Sequence, residues 1–313
     1  MQTKFSLVIA AAVILTCVIF CFSQQDETKS LRAPEYAKHR PANAVVESGG
    51  SVGGPKTYSS FVRVRVRKRK PAFKVIKPPS RQIETARLGF TVWRVETVDE
   101  RDKSKSLTEH DDRSGTARRV ERLDPDAVLA VGDSVRIGIE SLTHSGYLYI
   151  IDREKYADGT FGSPTLVYPT LRYQNGDNYV RPGDVKFLPG PGREITISSD
   201  SARKQSAEEL TIIVSPTRLI DVSQLQMEQI KISPNQLLEW IKKWAAEEVQ
   251  LDQIGSAGLA MTAAECAAGA DQSKGLNEHP LSQNDPLPQT MLEMKIKRGS
   301  PMITTVTLPI KQG

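Results

Sequence analysis

Apolar and polar residues alternate with a period of two through much of the chain after Leu88. Phe90, Val92 and Arg94 interleave with Thr91, Trp93 and Val95, and Val135, Ile137 and Ile139 interleave with Arg136, Gly138 and Glu140. Successive side chains of a strand point to opposite faces, so both runs predict β-strands, the second of them half-buried. Residues 143–146 carry turn chemistry and the pattern resumes from Tyr147 to Ile151, which predicts a hairpin. Tyr147 and Tyr149 share one face of that returning strand, Leu148 and Ile150 the other, and either face can be the inward one.

Further short apolar runs follow at Thr165–Tyr168, Val185–Leu188, 194–198 and 210–215. Asp158-Gly159 and Asn175-Gly176-Asp177-Asn178 punctuate them. Short strands bounded by turn clusters point to an antiparallel β-sandwich. No repeat of fixed period occurs, which argues against a propeller or solenoid.

One helix is signalled in the C-terminal half. Ser233 stands at the cap position, Pro234 suits the first helical position and Gln236 lies three residues after the cap. Leu237, Leu238, Ile241, Trp244 and Ala245 fall on one face, with Trp240 nearly opposite its centre. This predicts a helix packed on a sheet edge, or else one lying on a membrane or a partner. Residues 255–275, rich in Ala and Gly, read as a loop or short helix. The tail returns to alternation at 291–297 and 302–310 around Gly299-Ser300-Pro301, a terminal β-hairpin. The fold class expected is therefore mainly β: an antiparallel sandwich with one short helix and a terminal hairpin.

The N-terminal region differs. Lys4 precedes eighteen uncharged residues, 5–22, before Asp26 and Glu27. A positive start, an apolar run and a polar exit form a secretory signal. Cys21 and Ser23 place cleavage after residue 23; an uncleaved anchor is the other reading, and both carry the rest of the chain across the membrane. No sustained core pattern appears from Gln24 to about Ile83. Gly49, Gly50, Gly53, Gly54 and Pro55 mark a flexible break, and Pro71, Pro78 and Pro79 a stiff one. Phe61 to Val66 is the one stretch there able to pair as a strand. The expected layout is an export segment at 1–23, a flexible basic tether at 24–86, and one sandwich domain at 87–313 with a helical excursion at about 224–275.

Composition narrows the chemistry. Apolar residues form 39% of the 313 positions, enough for an ordinary core but not for a membrane bundle. With Cys17 and Cys21 in the export segment, Cys266 stands alone, which excludes a disulfide framework and a Cys-rich metal site.

Gly132-Asp133-Ser134-Val135-Arg136-Ile137, then Gly146-Tyr147-Leu148-Tyr149-Ile150-Ile151-Asp152, Val167-Tyr168-Pro169, Asn178-Tyr179-Val180-Arg181-Pro182-Gly183 and Leu188-Pro189 form an ordered series. Over residues 126–215 this series resembles the bacterial "domain of unknown function 4384" family. The flanking Gly89-Phe90-Thr91-Val92-Trp93 and Asp285-Pro286-Leu287-Pro288-Gln289-Thr290 look like those of exported members. The resemblance implies a β-rich extracytoplasmic module and transfers no catalytic residue.

Charge supplies the clearest candidate site. Residues 56–81 hold ten Lys or Arg and no acid; taking those ten from 42 leaves 32 basic against 37 acidic residues elsewhere. Arg63, Arg65 and Arg67 alternate with valines, so in a strand the guanidinium groups share one face, with Lys68, Arg69 and Lys70 continuing the band. Such a band is either a solvated edge strand kept soluble by charge or a contact for an anionic envelope surface or envelope protein. Nucleic acid fits poorly, because no stacking aromatics accompany the charge. Membrane contact is expected only through the N-terminal segment if it stays uncleaved, and no cofactor is expected.

Catalysis finds little support. The four histidines are His39, His110, His144 and His279. No Gly-x-Ser-x-Gly elbow and no His-Glu-x-x-His pair occurs. Asp152, Asp158, Asp177 and Asp184 fit turn capping better than a calcium loop. The expected function is a non-catalytic, exported binding or assembly module; the alternative is an exported hydrolase with a site built from loops.

Overall fold

The computed structural model describes residues 27–42, 61–71, 73–75, 82–98, 108–110, 117–172, 174–190, 193–198, 203–270 and 280–311. The expected export segment at 1–23, much of the expected tether and His279 lie outside them.

The chain runs β1 (Glu27–Arg32), α1 (Ala33–Ala37), β2 (Phe61–Arg69), β3 (Ile83–Val98), β4 (Thr108–His110), β5 (Ala117–Arg122), β6 (Ser134–Ser141) and β7 (Gly146–Tyr156). It continues through β8 (Thr165–Tyr168), β9 (Tyr179–Val180), β10 (Val185–Leu188), β11 (Ile195–Thr196), β12 (Gln205–Ser215) and β13 (Ile230–Lys231). Then come α2 (Pro234–Trp244), β14 (Glu247–Gln253), α3 (Ala263–Ala270), β15 (Thr290–Lys297) and β16 (Met302–Pro309).

The fold is mainly β, an antiparallel sandwich. Among the described residues the larger sheet has ten strands, ordered β1-β2-β14-β15-β3-β5-β4, with β6 beside β3 and with β10 and β11 beside β6. The smaller sheet runs β13-β8-β7-β12-β16, with β9 beside β7. Leu88, Phe90, Ile137, Ile139 and Leu292 of the larger sheet meet Leu148, Ile150, Leu210, Ile212 and Met302 of the smaller one in the central core. Leu148 and Ile150 are thus the inward face of β7, while Tyr149 and Ile151 look outward.

Both expected hairpins turn out to be passages between sheets. β6 pairs with β3, β10 and β11, whereas β7 pairs with β8, β9 and β12. Likewise β15 pairs with β14 and β3, and β16 with β12. An alternating strand buries its apolar stripe equally well beside its neighbour or facing it across the core, and here facing wins.

The outer faces are covered as well. α2 lies over the outer face of the smaller sheet instead of its edge: Leu237, Ile241, Trp240 and Trp244 pack with Tyr149, Ile151, Leu166 and Ile213. Trp240 stacks on Trp244 with centroids 6.1 Å apart, and Leu238 is the large apolar residue of the helix left exposed. On the larger sheet, Trp93, Val95, Val120 and Phe187 lie under Met261 and Ala268 of the α3 region and Leu281. β6 is therefore buried on both faces, not half-buried as its pattern suggested. Gly138 allows this, since a Cβ there would come 2.6 Å from the Trp93 ring.

The expected tether also changes. β2 is not an edge: it pairs with β1 on one side and β14 on the other, so residues assigned to a flexible tether complete the larger sheet. Val64 and Val66 face outward under Tyr36 and Ala37 of α1. Arg40, just after α1, grips Glu140 of β6 with Nε and Nη2, each 2.6 Å from a carboxylate oxygen, and donates to the carbonyls of Ser282, Asp285 and Pro286. Burial raises the Glu140 carboxyl, and the Arg40 charge works against that rise. A paired, multiply bonded buried arginine of this kind fastens the N-terminal segment, since losing either partner strands a charge in the interior.

Candidate functional site

Among the described residues two cavities open between the sheets with basic residues in their lining. At the first, the outward course of β2 decides the geometry. With Val64 and Val66 beneath α1, strand alternation turns Arg65, Arg67 and Arg69 toward the smaller sheet. Arg67 and Arg69 line a cavity of about 240 Å³ floored by Phe90, Val92 and Leu292.

These arginines are already matched by acids. Arg65 Nη1 and Arg67 Nη2 lie 2.5 and 2.6 Å from Asp126 Oδ2. Arg67 Nε lies 3.3 Å from Oδ2 of Asp252, a residue 1% exposed. Arg69 Nη1 lies 2.6 Å from Glu248 Oε1, and its Nη2 donates across the core to the Thr305 carbonyl at 2.7 Å. Hydrogen bonding from Arg67, and then Arg65, holds the Asp126 carboxyl below the usual carboxylate range despite some burial. Of the six basic residues expected to bind an anionic surface, Arg63, Lys68 and Lys70 are exposed, while Arg65, Arg67 and Arg69 are half-buried in ion pairs. The matching acids come from the β5–β6 loop and β14, far from β2 in sequence.

The second mouth opens where β7 and β8 face β10 and β11, and its cavity is about 650 Å³. Val167, Leu188, Pro189, Ile195 and Leu210 give it an apolar wall, with the exposed Met227 at the entrance. Arg172 and Lys231 stand at its rim, both exposed. Among the described residues neither has an acid within ion-pair range, although Glu228 shares the rim. Thr170, 4% exposed, lines the same cavity, and its Oγ1 has no hydrogen-bond partner among the described residues.

Asp152 completes the wall. It follows Leu148 and Ile150 on the inward stripe of β7, just as Glu208 precedes Leu210 and Ile212 on that of β12. Asp152 Oδ1 and Glu208 Oε2 both lack a donor among the described residues, and the two carboxyls are within hydrogen-bonding reach of each other. One proton held between them satisfies both. Burial first, then the neighbouring Glu208 and Glu154, pushes the Asp152 carboxyl up to about 8. Burial raises Glu208 too, opposed by the amide of Gln205, which donates to its Oε1 at 2.7 Å.

The other residues singled out from the sequence stay apart. His144 sits in the passage between β6 and β7, with Nδ1 2.7 Å from Thr143 Oγ1 and Nε2 3.2 Å from Glu84. His39 is exposed beside Arg40, and His110 ends β4. Asp158, Asp177 and Asp184 each accept from a backbone N–H two or three residues away, of Thr160, Tyr179 and Arg181. Asp152 of that set lines the β8 cavity. No group of three or more metal-type ligands assembles among the described residues.

The fold and the mouth at β8 define a class, a two-sheet sandwich with a polar-rimmed cleft between its sheets. Comparison with known families, curated proteins and solved structures finds no match.

Proposed function

We propose that the protein is a non-catalytic binding module of the extracytoplasmic envelope, and that it holds a ligand in the cleft between β7–β8 and β10–β11. The observation that carries this reading is the cleft itself. Its volume of about 650 Å³ falls within the span of ligand sites, roughly 300–1,000 Å³, and it combines an apolar wall with a few convergent polar groups. The export-type N-terminus and the resemblance to exported members of the "domain of unknown function 4384" family support the address. The exposed Arg63, Lys68 and Lys70 add a weak, salt-sensitive attraction to an anionic envelope surface or envelope protein, on the order of 1 kcal/mol per basic residue near such a surface. No cofactor enters this reading.

A second reading, an exported hydrolase, draws on the Asp152–Glu208 pair, since a carboxyl kept protonated near neutrality can serve as a general acid. The two readings separate on Asp152→Asn, which abolishes turnover in an enzyme but spares retention in a binding module.

The test is retention of a native ligand. The full chain is incubated with a solvent extract of its host's envelope, re-isolated and analysed by mass spectrometry beside Val167→Trp, which fills the cleft. A species held by the parent and lost from a folded Val167→Trp supports the cleft. Identical profiles refute it.

A further inference from the structure

Cations on a protein surface usually have acids beside them, and at the β2 mouth each inward-facing arginine from Arg65 to Arg69 does. The β8 mouth departs from this. Arg172 and Lys231 flank an apolar wall without an ion-pair partner among the described residues: Lys231, on β13, stands opposite Thr165 at the start of β8, and Arg172 lies four residues beyond the end of β8. Resting on the reading that this cleft is the ligand site, we infer that it takes an amphiphile with a single anionic head, the head at the rim that Arg172 and Lys231 line and the apolar body along Val167, Leu188 and Leu210.

Three observations favour that chemistry. Arg172 and Lys231 outnumber the one carboxylate of the rim, Glu228, which favours an anionic head there over a cationic one. A guanidinium fork accepts a carboxylate or phosphate in bidentate geometry, and an ammonium beside it adds a point charge. Thr170 Oγ1, buried without a partner among the described residues, offers a hydrogen bond to a head-group oxygen, and such a polar atom is costly to leave unsatisfied. The apolar wall gains from covering by a hydrocarbon body in proportion to the area removed from water.

The experiment is titration calorimetry of the full chain near pH 6.5 with four probes: laurate, 1-dodecanol, dodecylammonium and inorganic phosphate. Saturable laurate binding, with dodecanol at least tenfold weaker and phosphate and dodecylammonium undetected, supports the inference. Arg172→Gln and Lys231→Gln are each expected to weaken laurate about tenfold, the loss of one charge-assisted hydrogen bond. Equal affinity for laurate and dodecanol overturns the anionic head, and phosphate binding as tight as laurate overturns the apolar body. No laurate binding, with an extract species still lost from Val167→Trp, overturns the ligand class while the cleft stands. Retention of that species by Val167→Trp overturns the cleft itself.

Discussion

The mouths at β2 and at β8 are built from the same sandwich, and both present basic residues beside inward apolar side chains. They differ in what the basic residues face. At β2 the guanidinium groups of Arg65, Arg67 and Arg69 meet Asp126, Asp252 and Glu248, so their charge is consumed in closing the gap between β2, β14 and the β5–β6 loop. At β8 the cavity is larger, burial pushes its inward Asp152 carboxyl up, and Arg172 and Lys231 have no acid within ion-pair range among the described residues. Density of positive charge along a sequence is therefore a poor guide to where a protein will hold an anion. What counts is charge left over after the fold has made its own pairs.

The comparison breaks most visibly where charge is structural. Arg67→Ala is expected to leave Asp252 buried without its cation and to lower stability by about 3 kcal/mol, as breaking a buried pair does. Its melting temperature should fall by on the order of 10 °C. A drop of under 2 °C in a thermal melt would show that the β2 pairs are ornamental.

A smaller effect sits at the shared proton. The folded Asp152 carboxyl lies at about 8 against an ordinary value of 3.8, so between those limits the folded state binds more protons than the unfolded one. Stability must then fall as pH rises through that window. The groups facing Asp152 are Glu154 on its own strand, Glu208 and Gln205 on β12, and Lys231 across β8. Asp152→Asn supplies an amide donor to Glu208 and removes the ionisation, so the variant should gain about 1–3 kcal/mol over the parent at pH 9 and little at pH 5. Parallel denaturation midpoints for the two proteins from pH 5 to 9 would remove the proton from the account.

The smallest stability effect belongs to the cations proposed to bind the ligand head. Arg172→Ala and Lys231→Ala break no ion pair among the described residues, so each should stay within about 0.5 kcal/mol of the parent in urea. A loss of 2 kcal/mol from either would mean that it, too, is spent inside the fold.

Much of the architecture was legible in the sequence and the site was not, for physical reasons visible in particular residues. Alternation at Leu148–Ile150 and Val135–Ile139 located strands, because a period of two is a local property. It could not say whether the strand after a turn pairs beside its predecessor or crosses to the other sheet, since both bury the same stripe. Residues 61–69 show the converse: the alternation of valine and arginine was visible, but its acid partners lie far along the chain, so an interior strand read as a tether. The β8 cleft left no local mark, because Arg172, Lys231 and Thr170 are ordinary loop and strand-end residues until β13 and β8 pair. One signal was present: Asp152 and Glu208 continue inward apolar stripes, a register in which a carboxylate is out of place.

The most direct measurement compares the two mouths with one probe. Laurate affinity is measured for the Arg172→Gln/Lys231→Gln double variant and for Arg65→Gln, whose side chain is the more exposed member of the β2 pairs to Asp126. The account predicts a loss of well over tenfold in the first and an unchanged dissociation constant in the second. A double variant that binds laurate like the parent, or an Arg65→Gln protein that does not bind it, would contradict the assignment of the free charge to β8.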